Sequence, residues 1–342
     1  MSMAKRTKLF LAGGAATLVV GLGTGLVASY MGLQGLTVLG GGGPSEFAYV
    51  PADSSFLAYA DIRDVMDSEL RRRLTDLQPA AGEGAERFRT DTGIDLERDI
   101  DYLVAAASAP EADASGDAAM PGPPLILARG RFEQVRLEGL IRERGGVVED
   151  YAGTRLLVQE RLAVGFLEPD LVAIGTPAGV RRAIDTKASG LSVRGNDELM
   201  GIVRDIDDGD AWAVARFDSL TTARLPAEVV AQLPAIRWFS ASGVIGAGVE
   251  GQLRVETRDE AGAEDLRQVI QGVLALARMQ AGQLGDAVNA LQIGGQGTTV
   301  SLSFSVPPEL IDVVIGMRSN EQAIWLVPHV VPGLLVAHIP GL

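Results

Sequence analysis

A chain of 342 residues with a formal net charge of −14, 47% apolar and 5% aromatic content, and no cysteine excludes several classes of protein at once. So acidic a chain disfavours nucleic acid or anionic headgroups gripped through a basic patch. Without cysteine there is no disulfide, no thiolate chemistry and no lipid-modified N-terminal cysteine, while the apolar content suits a packed core rather than disorder.

Lys5, Arg6 and Lys8 precede residues 9–39, which contain no charged side chain. A bilayer core of about 30 Å needs roughly 20 helical residues, so this stretch is long enough for a transmembrane anchor. Cations lie on its N-terminal side only. The positive-inside rule then puts residues 1–8 in the cytoplasm and the bulk of the chain outside it. A cleaved signal peptide would have a shorter apolar region ending at a small-residue site. Val27, Ala28 and Ser29 offer such a site, but the apolar run continues to Leu39. The expected location is the bacterial inner membrane, single-pass, with a periplasmic body. Gly13, Thr17, Gly21, Gly25 and Ser29 recur every fourth position. Such a ridge of small residues lets a second helix approach closely.

Residues 40–46 read as a tether, and residues 47–50 lead into a turn at Pro51, Ala52 and Asp53. Residues 55–60 alternate as a strand. Asp61 caps a helix to about Leu77, with Val65, Leu70 and Leu74 on its buried side. A further helix is expected over 84–92, and a strand over 99–108 whose small apolar residues suit the middle of a sheet. Residues 110–124 are low in complexity and read as a surface loop. A strand over 125–130 and a helix over 132–144 follow, the helix ending at Gly145 and Gly146. Three strands are expected at 155–159, 162–167 and 171–175. Pro177 starts one helix and Asn196 caps another.

The order then begins again. Residues 210–217 repeat the pattern of residues 55–62, a strand running into a polar helix start. Residues 236–257 give two strands with a turn at Glu250 and Gly251. The longest soluble helix covers 261–283, with Leu266, Val269, Ile270, Val273, Leu274 and Ala277 along one stripe. A hairpin over 291–305 turns at residues 294–297, and Pro307 opens a last helix to Met317. The fold class expected is α+β: a transmembrane helix, then two similar halves over 47–206 and 207–317. Each half would be an antiparallel sheet with helices packed on one face. Residues 318–342 form an apolar tail interrupted by Pro328, Pro332 and Pro340, which forbid a continuous helix. From residue 323 onward it has no charge, and it should pack on something.

Chemistry is hard to find. The two histidines, His329 and His338, both lie in the tail. A Ser-His-Asp arrangement or a histidine-rich zinc site therefore cannot form in the body. Asp205, Asp207, Asp208 and Asp210 surround Gly209, but the twelfth residue from Asp205 is Arg216, where a calcium loop needs glutamate. Asp91, Asp95, Asp99 and Asp101 read as turn and cap residues. A glycine pattern at Gly23 and Gly25 follows no strand and lies inside the apolar stretch, so it is no dinucleotide site.

Residues 49–53, the strand at 56–60, the phrase at 92–101 and the hairpin leading to Pro177 resemble an uncharacterised family of bacterial single-anchor envelope proteins. The resemblance spans residues 49–317 and implies one anchor and a repeated α+β ectodomain, with no catalytic residues. The function expected is a non-catalytic, membrane-anchored scaffold or accessory subunit of a membrane protein complex, not an enzyme and with no cofactor or metal. Its partners would be the membrane, through residues 9–39, and other subunits. Trp325, Leu326, Val330, Leu334 and Leu335 would contact a partner or the membrane. The alternative is an extracytoplasmic binding protein for a small or lipidic ligand held between the two halves.

Overall fold

Alternation builds β1 (Ser54–Asp61). Leu57 and Tyr59 are buried on one side, and Phe56, Ala58 and Ala60 are half-buried on the other. A strand apolar on both sides belongs inside a sheet rather than at its edge. The computed structural model places it so; it describes residues 44–77, 89–90, 94–108, 125–143, 145–160, 162–206, 209–216, 235–280 and 290–309. The expected anchor, the loop over 110–124, nearly all of the helix over 84–92 and the tail over 318–342 lie outside these residues.

Eleven further strands follow: β2 (Ile100–Ser108), β3 (Leu125–Gly130), β4 (Val147–Tyr151), β5 (Thr154–Gln159), β6 (Leu162–Glu168), β7 (Leu171–Gly175), β8 (Ala211–Arg216), β9 (Ile236–Ile245), β10 (Val249–Thr257), β11 (Gln292–Gly294) and β12 (Thr299–Val306). All pair antiparallel in one sheet, in the order β11-β12-β10-β9-β8-β1-β2-β3-β7-β6-β5-β4. The expectation of two sheets thus meets one. β8 and β1 hydrogen-bond from Phe56–Ala215 to Ala60–Ala211, which removes two edges that would otherwise face solvent. The remaining edges are β11 and β4.

The helices are α1 (Ile62–Asp67), α2 (Glu69–Leu77), α3 (Leu96–Asp99), α4 (Gln134–Glu143), α5 (Pro177–Ser189), α6 (Asp197–Arg204) and α7 (Glu260–Gln280). They lie on both faces of the sheet, not on one. Val180 and Ala183 of α5 and Leu199 and Val203 of α6 share a core with Leu57, Tyr59, Leu127 and Trp212. Leu274 of α7 packs instead with Leu253, Leu302 and Phe304, and with Phe239 and Ala241 on the reverse face. The reason lies in the strands: the central ones are apolar on both sides, so each side needs cover. Beyond Trp238 the first face turns polar, with Ser242, Gln252 and Ser303 in one register line.

Local sequence rules explain most boundaries. The Asp61 carboxylate accepts from the Asp64 N–H, Thr176 caps α5 and Asn196 caps α6. Gly145 ends the α4 turn at φ 81°. Four expectations need correction. The single helix from Asp61 to Leu77 is broken at Ser68, which is extended at ψ 148° and whose hydroxyl accepts from the Arg71 N–H. The β9–β10 turn lies at residues 246–248, not at Glu250 and Gly251. Gly251 sits within the strand because a Cβ there would come within 2.4 Å of the Phe304 ring. The inner line of α7 runs through Ala263, Leu266, Ile270 and Leu274, and Val269 is 53% exposed. Finally β4 was not foreseen: its Glu149 and Asp150 hide a strand that turns at Ala152 and Gly153, both at positive φ.

Candidate functional site

Two features outside ordinary core packing stand out. The first is a clasp that locks the entry of the chain into the body. A 3-10 turn over Ser45–Tyr49 lies across the first face of the sheet, with Glu46, Phe47 and Val50 fully buried. The expected tether over 40–46 therefore stops short of Pro44: Pro44 and Glu46 are buried parts of the body. Phe47 meets Trp212 edge-on at 6.1 Å, and Trp212 stacks on Tyr59 at 5.9 Å. Leaving a carboxylate dry is costly without a partner. Arg129 of β3 supplies one: its Nε donates to Glu46 Oε1 at 2.5 Å. The same guanidinium donates to Glu168 at 3.0 Å and Asp170 at 2.7 Å, and the Tyr49 hydroxyl donates to Glu168 at 3.1 Å. Burial alone would pull the Arg129 pKa down. Hydrogen bonds from its guanidinium to Asp170 and Glu46 more than reverse that and raise it.

Around this cluster the phenols are held protonated. Tyr49 is pushed up to about 12, by burial first and then by the Glu168 charge. Tyr102 is raised by burial and by the Glu46 carboxylate, and Tyr59 by burial and by Asp61. A phenol whose folded pKa exceeds its unfolded value of 10 gives stability that is complete below pH 10 and lost above it. Folding stability is therefore expected to fall between pH 10 and about 12. The check is denaturant unfolding at stepped pH beside phenolate absorbance. A native chain whose tyrosines all ionise as free tyrosine does would refute it.

The second feature is one line of register. Across all twelve strands it reads Ile293, Leu302, Leu253, Ala241, Ala213, Ala58, Ala105, Ile126, Ile174, Val164, Leu157, Val148. Every residue is apolar, and the four at the β9-β8-β1-β2 centre are alanines. With larger side chains on both flanks, the centre of the reverse face is floored by small apolar side chains. α4 packs over β4 and β5 at one side of it and α7 over β10–β12 at the other. Ala58, Ala105, Ala213 and Ala241 are half-buried. A separate depression of about 340 Å³ lies between α7 and β11, lined by Gln271, Leu274, Arg278, Leu291, Gln292 and Ile293. It is at the margin of the sheet, not at the β1–β8 seam.

The acidic clusters singled out in the sequence do local structural work. The Asp99 carboxylate accepts from the Asp95 N–H at 2.8 Å, Asp95 pairs with Arg89, and Asp101 pairs with Arg63. Asp205 pairs with Arg254 at 3.7 Å, and the Asp210 carboxylate accepts from the Ile245 N–H at 2.7 Å. Burial raises the Asp210 pKa. Among the described residues no group of three or more His, Cys, Asp or Glu side chains is arranged to hold a metal ion. No described helix is long and apolar enough to cross a membrane. The predicted contact residues Gly13, Thr17, Gly21, Gly25, Ser29, Trp325, Leu326, Val330, Leu334 and Leu335 lie outside the described residues. Sequence reasoning missed the clasp. Its signals were an acid, Glu46, beside Phe47, Tyr49 and Val50, and a lone cation, Arg129, ending an apolar strand.

Fold and site together define an α+β protein built on a wide antiparallel sheet, with helices on both faces and a buried ionic clasp at the chain's entry. No family model matches the chain, and no curated protein does. It bears a weak structural resemblance to TP0453. Crystal form I of that protein aligns at a TM-score of 0.43 and 11% identity, over 80% of this chain and 98% of that one. Crystal form III gives 0.45 and 10%, over 80% and 99%.

Proposed function

We propose that the protein is a non-catalytic, membrane-anchored scaffold or accessory subunit of a membrane protein complex, with its body on the periplasmic side of the bacterial inner membrane. Residues 9–39 are the anchor, and the Gly13–Thr17–Gly21–Gly25–Ser29 ridge meets a partner's helix. The observation that carries this reading is the clasp. Among the described residues, the ones nearest the expected anchor are seated in the body, with Glu46, Phe47 and Val50 fully buried. A rigid junction transmits position, which a scaffold needs and a freely tethered module does not.

The body itself reads as two copies of one unit. With the β4–β5 hairpin set aside, the path β1-β2-β3-β7-β6 has the same strand order as β8-β9-β10-β12-β11. Equivalent residues Ala58 and Ala213 pair with each other, as a two-fold relation requires. Gentle solubilisation of the full chain is expected to bring down other membrane subunits. Deleting residues 318–342 is expected to lose some of them. A clean monomer, or a tail-deleted form that keeps every partner, would refute the scaffold.

A second reading draws on the row of alanines at the centre of the reverse face. An apolar floor with larger side chains on both flanks suits an acyl chain or similar lipidic ligand. The notion of a ligand held between two separate halves gives way, because the seam is closed by the β1–β8 ladder; the ligand would lie over it. Ala58→Leu and Ala213→Leu would fill the floor. Native mass spectrometry should then show less co-purified lipid, and an unchanged lipid content would dismiss this reading.

A further inference from the structure

The depression between α7 and β11 is lined half by core and half by polar side chains that the fold leaves idle. Gln271, Leu274 and Arg278 share one face of α7, as the spacing of a helix requires. Opposite them stand Leu291, Gln292 and Ile293, and β11 is held there by the Gln292–Ser303 and Ile293–Leu302 pairs. The apolar part is continuous with the interior. Leu274 is buried beside Leu253, Leu302 and Phe304, and Leu291 and Ile293 pack against that cluster. The polar part differs from its neighbours. Arg267, on the same helix face, is occupied by Glu264 and by the carbonyls of Gly297 and Thr299. Among the described residues, Arg278 has no carboxylate or carbonyl partner, and the side chains of Gln271 and Gln292 have no hydrogen bond.

We infer that this depression binds a small carboxylate carrying a short apolar chain. Its volume of about 340 Å³ lies at the lower end of the roughly 300–1,000 Å³ span of small-molecule sites. A guanidinium fork takes both oxygens of a carboxylate at once, which a neutral head cannot match. The amide groups of Gln271 and Gln292 add donors for the same head. Leu274, Leu291 and Ile293 then take the chain out of water. The lining fixes the sign of the ligand: it holds one cation and no acid, on a chain whose net charge is −14. An amine would find no counter-charge there. The site is at the margin of the sheet, apart from the alanine row, and it does not depend on the scaffold reading.

Hexanoate is the probe, titrated by calorimetry into the full chain in detergent, with hexylamine and 1-hexanol as controls. Saturable heat is expected for hexanoate and not for the other two. Arg278 is exposed, so Arg278→Gln should melt with the unchanged chain. Its hexanoate affinity should fall about tenfold or more, as loss of a hydrogen-bonded charge implies. The same variant measures uptake by the micelles alone. Leu291→Gln should weaken hexanoate while keeping the preference for the anion, and Ala213→Leu should leave binding unchanged. No saturable heat, equal binding of hexylamine or hexanol, or undiminished affinity in Arg278→Gln would each overturn the site. Loss of binding in Ala213→Leu with retention in Arg278→Gln would also overturn it, because the ligand would then lie on the alanine row.

Discussion

Arg129→Met is expected to destabilise the fold by about 3–5 kcal/mol, because it strands a carboxylate that water cannot reach. Glu46 is fully buried, and the guanidinium that neutralises it has a side chain only 13% exposed. The substitution also releases Glu168 and Asp170, which would then repel each other across the β6–β7 turn. Denaturant unfolding should show the loss as a lower midpoint with an unchanged slope. Pairing it with Glu46→Gln removes the orphaned charge, so the double variant should regain a large part. If the single and double variants are equally unstable, the cost is lost packing around Arg129 rather than an uncompensated charge.

Trp212→Ala is the second large loss, again about 3–5 kcal/mol. Trp212 is 4% exposed and joins three parts of the structure: Phe47 of the entry segment, Tyr59 of β1 and its own strand β8. Its removal leaves a cavity where the first half of the chain meets the second. Trp212→Phe keeps an aromatic face and should cost less than half as much. Equal losses for the two variants would show that ring stacking contributes little there.

Much of the element order could be read from the residues. Strands β1, β3 and β7 were read to within a residue, β1 from its period-two alternation, and Asp61, Pro177, Asn196 and Gly145 marked helix ends. Those signals are local and act through backbone donors a few positions away. The pairing order was not legible, because nothing in a strand names its neighbour. Residues 55–62 and 210–217 were recognised as alike, but not as partners. The clasp was equally hidden: Glu46 and Arg129 are 83 positions apart, and a charged side chain is ordinarily solvated. The break at Ser68 and the turn at residues 246–248 were missed because serine and glycine each serve several backbone roles, which tertiary contact decides.

The two rims of the sheet limit how this protein can associate. β11 is three residues long, too short a template for an incoming chain. β4 carries Glu149 and Asp150, with Glu149 tied to Arg181 and Tyr151 to Asp185. Acid on one rim and brevity on the other discourage head-on stacking of copies into ribbons or fibrils. Neighbours must therefore come to the broad faces or to the chain ends, and crowding of many copies in a small compartment carries little risk of runaway polymerisation.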